Sequence, residues 1–219
     1  MKSVQQLIDE AIIRPDRKRS GKWNPSSFGM CFRQQFWNRK NKTPSNPPDA
    51  RQLRVLAAGQ LFHNFVQELI CPTHNDGREI LVESDDVKGF ADIVMENEVI
   101  DIKSQHSKSF WYMSKKSVDI KKEKYANWLQ VLYYARELRK SFGRLVFISK
   151  DDLCIREYVQ PLDNYWLRQI DTELTALRCL WKRDELPPAV PRCEPNTKNE
   201  YWQCKCCKFK DKCFVLEGK

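Results

Sequence analysis

The stretch from residue 79 to 104 constrains this chain more than any other, because its apolar period changes there from helical to two. The β-rich segments 80–83, 89–95 and 99–103, parted by short polar breaks, predict three consecutive strands in a meander. In Ile100-Asp101-Ile102-Lys103 alternate residues face opposite sides of a strand, so the isoleucines enter a core and Asp101 and Lys103 project together. A two-residue turn at Glu96 and Asn97 sets Asp92 directly opposite Asp101. Two ionised carboxylates so placed repel unless a cation sits between them, and hard oxygen ligands select Mg²⁺ or Mn²⁺. A divalent ion beside an ammonium suits phosphodiester cleavage: the ion polarises a phosphoryl oxygen and acidifies water, while Lys103 orients the nucleophile or offsets charge on phosphorus. The alternative is an exposed hairpin with ordinary salt bridges, which so short a pattern also fits.

Helical patterns flank the strands. An amphipathic stretch covers 4–13 and a basic linker 14–22; Pro25-Ser26-Ser27 then starts a helix with Cys31 in an early turn. Residues 44–48 read as a loop. Residues 53–70 put Leu61, Phe62, Phe65, Val66 and Leu69 on an apolar face with His63 at its edge. A helix over 122–140 sets Gln130 and Tyr134 on one face beside Asn127, separated from Leu129 and Leu132. Together, a Gln and a Tyr can hold a lysine or a DNA phosphate. Segments 145–150 and 154–159 give two further strands, 161–183 another helix, and a cysteine-rich segment follows. The order is therefore helices, three strands, helix, two strands, helix, cysteine segment, within one compact domain of 219 residues.

Lys and Arg outnumber Asp and Glu by 38 to 29, and the resulting charge of +9 favours a polyanionic partner. No apolar run is long enough to span a membrane and no signal-type stretch follows Met1, which predicts a cytoplasmic protein with no membrane partner. In such a chain nine cysteines point to metal, redox chemistry or buried thiols. Cys204, Cys206, Cys207 and Cys213 are crowded together, whereas Cys31, Cys71, Cys154, Cys179 and Cys193 are scattered.

Taken in order, Gly59-x-x-x-His63, Gly89-Phe90-Ala91-Asp92, Asp101-Ile102-Lys103-Ser104 and Gln130-Val131-Leu132-Tyr133-Tyr134 resemble the successive motifs of RecB-like nucleases in the PD-(D/E)XK superfamily. Cys31 followed by Cys204-x-x-Cys207-x-x-x-x-x-Cys213 resembles the split iron–sulfur motif of AddB-type and Cas-four-type nucleases. The resemblance implies a restriction-endonuclease-like α/β (α+β) core, with a central mixed sheet of about five strands flanked by helices. It places the catalytic core at 51–185 and a cysteine-cluster region at 26–50 plus 190–219. It also implies that His63, Asp92, Asp101 and the Ile102 carbonyl bind the divalent metal, that Lys103 is catalytic, and that Gln130 and Tyr134 position it and the substrate. Glu83 is a further acidic candidate. Cys31, Cys204, Cys207 and Cys213 would bind a [4Fe-4S] cluster, with a structural Zn²⁺ as the rival. The adjacent Cys206 and the upstream Cys193 compete for places in that ligand set.

Between the lysine motif and the long helix, Lys108, Lys115, Lys116, Lys121 and Lys122 interleave with Phe110, Trp111 and Tyr112, a mixture suited to single-stranded DNA. A solvated loop with its aromatics turned inward is the other reading. Arg33, Arg39, Lys40 and Lys42 suggest a second basic patch. The function implied is a DNA exonuclease acting on single strands or ends, 5′ to 3′, in recombination, replication, repair or CRISPR adaptation, of a bacterium, archaeon or phage. No G-x-x-x-x-G-K-[ST] motor motif is present, so a helicase, recombinase or integrase would be a protein partner, and relatives of this type also form oligomers. A non-catalytic cluster-stabilised DNA-binding module, or an accessory subunit of a helicase-nuclease, is the competing class. Cys207→Ala is expected to lower both thermal stability and bound metal, measured by melting and elemental analysis; unchanged metal content would remove Cys207 from the ligand set.

Overall fold

The computed structural model describes residues 2–13, 20–71, 77–189, 201–216 and 218. The chain separates into two compact units, one of residues 1–21, 30–57 and 175–219 and one of 22–29 and 58–174.

The second unit is built on a five-stranded mixed sheet in the order β1-β2-β3-β4-β5. Strands β1 (Arg78–Glu83), β2 (Lys88–Val94) and β3 (Glu98–Gln105) form the expected antiparallel meander. Strand β4 (Phe142–Ser149) runs parallel to β3, and β5 (Ile155–Pro161) returns antiparallel to β4. The hairpin register is the one that a turn at Glu96 and Asn97 demands, since Ile93 pairs with Ile100 and Val94 with Val99. Ladder pairing of β2 with β3 ends there. Beyond it the Ile102 N–H donates to the Asp92 carboxylate at 2.7 Å, so a side chain takes the bond that a strand would make with backbone. Asp92 and Asp101 are thus neighbours without being a ladder pair.

Helix α3 (Ala50–Ile70) begins earlier than its apolar spacing suggests, because Asp49 and Gln52 cap it reciprocally: Gln52 N donates to Asp49 Oδ1 and Asp49 N to Gln52 Oε1. Phe62 and Val66 pack with Cys71 on Ile93, Ile100, Ile102, Val146 and Ile148. The expected apolar face is only partly used: Leu61, Phe65 and Leu69 are 69, 56 and 69 % exposed. They form the adjoining stripe of the helix, outside the Phe62–Val66 stripe that meets the sheet.

The crossover from β3 to β4 carries three helices where a loop and one long helix were expected: α4 (Ser107–Tyr112), α5 (Ile120–Glu123) and α6 (Tyr125–Glu137). His106 Nδ1 caps α4 and Asp119 caps α5, and Lys124, outside helical geometry, separates α5 from α6. Every residue of α6 from Trp128 to Ala135 is buried, so Gln130 and Tyr134 lie on a helix enclosed on all sides, not on a polar face set apart from Leu129 and Leu132. A single 3-10 turn, Pro25–Ser27, occupies the place of the expected longer helix and also packs on α6. Phe28 meets the Tyr133 ring edge-on at 5.2 Å. Helix α7 (Asn164–Arg183), capped by Asp163, starts beyond Pro161, which closes β5; its first turns bring Trp166 to 6.4 Å from Trp128.

The first unit contains α1 (Val4–Ile12), α2 (Phe32–Arg39), α8 (Trp202–Lys205) and α9 (Lys210–Leu216). Cys31 is the N-cap residue of α2, just outside the helix in which it was expected. Residues 14–19 of the basic linker and Cys193 lie outside the described residues.

Helix α6 approaches β4 closely at Gly143, where a Cβ would lie 2.9 Å from Val131 Cγ1 and from Leu132 Cδ2. Gly143→Ala is therefore expected to destabilise the protein by about 1–3 kcal/mol through overpacking, read as a lower denaturation midpoint. A midpoint equal to the wild type's would show that the helix yields without cost.

Candidate active site

The alternation that sends Ile100 and Ile102 beneath α3 turns Asp101 and Lys103 toward α6. Lys103 Nζ lies 2.8 Å from both oxygens of Asp101, but the angle makes a hydrogen bond only to Oδ1. Oδ2 of this residue, which is 2 % exposed, is left as a buried oxygen without a hydrogen bond. Lys103 Nζ is also 3.5 Å from Gln130 Oε1, a long contact from α6. His63 Nδ1 approaches Asp92 Oδ2 at 3.3 Å from the other side of the group. His63, Asp92, Asp101, Lys103 and Gln130 are thus brought together in the fold. Ile102 takes part through its N–H.

Burial governs the electrostatics. Desolvation pushes Asp92 and Asp101 up to about 6 against the opposing field of Lys103, and each carboxylate feels a further negative charge, Glu79 for Asp92 and Asp92 for Asp101. Desolvation pulls Lys103 down, but the fields of Asp101 and Asp92 and the Asp101 hydrogen bond together hold it above its ordinary value. His63 is lowered by burial and then by Lys103, which favours the neutral imidazole that can donate a lone pair.

Tyr134 completes the wall. Its phenol is raised well above the usual range by burial and then by Asp101 and Asp92, while the Phe90 N–H donates to its hydroxyl. A Cβ at Gly89 would stand 2.3 Å from that hydroxyl and 2.9 Å from Pro25 Cδ, which accounts for glycine in Gly89-Phe90-Ala91-Asp92. At Gly59 a Cβ would make only ordinary contact with Ser104 Oγ at 3.6 Å.

Other candidates fall elsewhere. Glu83 pairs with Lys22 at 2.9 Å and Lys88 at 2.8 Å, a surface arrangement apart from this group. Glu79 stands near it instead, accepting a bond from Gln67, and neither residue carries a motif that would have marked it. In the crossover Phe110 is buried, whereas Trp111 and Tyr112 and the five lysines are exposed. Arg156 adds an unforeseen cation, 4.8 Å from the Phe110 ring and 5.5 Å from Trp111. Arg33 is not part of a basic patch: it is buried, donating to the Pro187 carbonyl at 2.7 Å and to Cys213 Sγ at 3.4 Å. Arg39 donates to the Gly21 carbonyl and lies 4.1 Å from the Trp181 ring, and Lys40 pairs with Asp184.

Within the first unit Cys207 feels the charges of both Cys31 and Cys213, although burial is the main reason its thiol is raised. The Cys31 N–H donates to Gln203 Oε1 at 2.7 Å, and Phe209 N–H to Cys207 Sγ at 3.4 Å. Cys206 is exposed, and Cys204 is disulfide-bonded. Among the described residues no three His, Cys, Asp or Glu side chains are drawn together tightly enough to hold a metal ion, in either unit. None of their helices is long and apolar enough to cross a membrane.

No protein-family model matches the sequence, and no curated protein does. The fold does have solved counterparts. The crystal structure of SSO0001 is similar with a TM-score of 0.59 at 18% identity, over 97% of this chain and 96% of that one. An alkaline exonuclease (LHK-Exo) from Laribacter hongkongensis is similar with a TM-score of 0.52 at 14% identity, over 76% and 90%. A phage-related exonuclease from Haemophilus somnus 129PT gives 0.50 at 15% identity, over 84% and 94%. The mixed five-stranded sheet flanked by helices is thus a fold shared with structures of exonucleases.

Gly89→Ala is expected to lower the melting temperature by driving a methyl against the Tyr134 hydroxyl, a cost of about 1–3 kcal/mol. Adding Tyr134→Phe removes the colliding oxygen and should recover part of the loss. Full stability of Gly89→Ala alone would show that the contact does not constrain the site.

Proposed function

We propose that this protein is a metal-dependent deoxyribonuclease that hydrolyses phosphodiester bonds at single-stranded DNA or DNA ends. The observation that carries the reading is the buried group of Asp92, Asp101 and Lys103 on β2 and β3, closed by Gln130 and Tyr134 from α6. Buried carboxylates side by side are unfavourable unless a cation offsets them, and Lys103 alone leaves Asp101 Oδ2 without a hydrogen bond. The donor set, two carboxylates and an imidazole favoured as neutral, fits a hard divalent ion. His63, Asp92, Asp101 and the Ile102 carbonyl would hold Mg²⁺ or Mn²⁺. Such an ion, when bound, supplies Lewis-acid polarisation of the phosphodiester and acidifies water.

The chain's own residues supply the rest. Lys103 keeps a positive charge beside the reacting phosphate, where it orients the attacking water or offsets charge developing on phosphorus. Gln130 restrains that ammonium from α6, and Tyr134 packs the helix against the strand that carries Asp92. Trp111 and Tyr112 offer exposed ring faces for bases, and Lys108, Lys115 and Lys116 offer charges for phosphates. The exonuclease folds in the comparison support the reading, as does the solved complex of LHK-Exo with dAMP for that protein. The resemblance of the motifs adds the 5′ to 3′ direction and a role in recombination, replication, repair or CRISPR adaptation.

Cys31, Cys204, Cys207 and Cys213 are proposed to hold a [4Fe-4S] cluster, or Zn²⁺ in the rival assignment. Soft thiolates suit either group.

The test is cleavage of end-labelled single-stranded DNA in Mn²⁺, Mg²⁺ or EDTA, using anaerobically purified protein. Asp101→Ala and Lys103→Ala are each expected to lose roughly 10²-fold or more in rate while still binding DNA. Undiminished cutting by either variant, or cutting that survives EDTA, would remove this site from the chemistry.

A further inference from the structure

Glu79 belongs to none of the motifs, yet its backbone is held in an unusual state directly beside Asp92. Its neighbours Arg78 and Ile80 pair with Ile93 and Ala91, which brings Glu79 level with Asp92 on β2. Its φ of 52° is left-handed, a conformation that a residue with a Cβ keeps only when its surroundings hold it there. Gln67 is part of those surroundings. This amide is 2 % exposed, and its Nε2 donates to Glu79 Oε1 at 2.6 Å and to the Asp92 carbonyl at 3.0 Å. Both amide hydrogens are therefore committed.

Gln67 lies one turn after His63 on α3, so the helix that brings the imidazole to Asp92 also grips the Asp92 backbone. Asp92 is then held by Gln67 at its carbonyl and by the Ile102 N–H at its carboxylate, with His63 Nδ1 3.3 Å from the same carboxylate oxygen. A strained backbone in a strand, spent on orienting one buried amide, is the arrangement of a residue that serves a site.

We propose that Glu79 and Gln67 are positioning residues: Glu79 orients the Gln67 amide, and the amide sets Asp92 against His63. The role in catalysis rests on the nuclease reading above; the geometry does not. Glu79→Ala and Gln67→Ala are each expected to lower kcat roughly 10–100-fold with little change in KM for DNA. The double variant should be no slower than the slower single one, since both break one connection. Glu79→Gln keeps an oxygen that accepts from Gln67 and should retain most of the rate. Glu79→Gly, which tolerates the left-handed backbone, should fold and show the same loss as Glu79→Ala.

Wild-type rates in Glu79→Ala and Glu79→Gly, or losses that multiply in the double variant, would overturn the proposal while leaving the nuclease reading intact. If the wild-type protein does not cut DNA at all, the nuclease reading fails and the histidine spectrum decides the geometry. The chain has three histidines, so the His63 ring resonance is assignable by its disappearance in His63→Ala. At alkaline pH, where the imidazole is neutral in every variant, it should shift in Glu79→Ala and return toward its wild-type position in Glu79→Gln. A resonance that stays in place in Glu79→Ala would overturn the positioning role.

Discussion

The sheet-bearing unit of this molecule depends on offsetting negative charge inside a sheet. Asp101 sits on the central strand almost wholly removed from water, beside a second desolvated carboxylate, and a single ammonium two residues along the same strand compensates for both. That compensation is incomplete, which is why both carboxylates hold their protons more tightly than a solvated acid would. Other features of the unit serve this arrangement. Ile100 and Ile102 anchor the strand under α3, so that Asp101 and Lys103 have one direction left to point, and α6 closes that direction with Gln130 and Tyr134.

Local pattern made the centre of the sheet readable. The two-residue turn at Glu96 and Asn97 fixed the pairing of Ile93 with Ile100, and strict alternation fixed the faces of Asp101 and Lys103. The order of strands and helices followed from the same periodicities, and the mixed sheet from the resemblance of the motifs. What stayed hidden depends on contacts between residues far apart in the chain. That Asp92 takes the Ile102 N–H with its side chain, that Glu79 leaves strand geometry, and that Gln67 is the amide between them are tertiary facts with no local signal. Arg33 illustrates the opposite error, since a guanidinium counted as surface charge is buried against a carbonyl and a thiol. Helix α3 looked amphipathic, but its apolar residues form two stripes and the sheet accepts one.

The other unit brings a different chemistry into view. Chain from both ends contributes to it, and its ring contacts, Trp37 with Phe209 and Phe36 with Trp181, join residues about 145 to 172 positions apart in sequence. Asn46 ties the same segments together, its side-chain amide donating to Asp211 Oδ2 and its backbone N–H to the Lys208 carbonyl, each at 2.9 Å. The thiols of Cys31, Cys207 and Cys213 therefore sit where packing already gathers distant segments, and a bound metal group would add to an association that aromatic contacts begin.

The parallel pairing of β3 with β4 has a consequence for the order in which the chain can assemble. The hairpin of β2 and β3 closes over a two-residue turn, a local event, and it delivers both aspartates and the lysine to one place. Gln130 and Tyr134 arrive only when the crossover through α4, α5 and α6 has closed and β4 has docked along β3, and such long-range closure is slow. The charged residues are thus joined by a local connection and the enclosing residues by a long one. In the hairpin alone the carboxylates would be open to water and carry no desolvation penalty, so the charge conflict that defines the finished site belongs to the closure of α6 over the sheet and not to the hairpin.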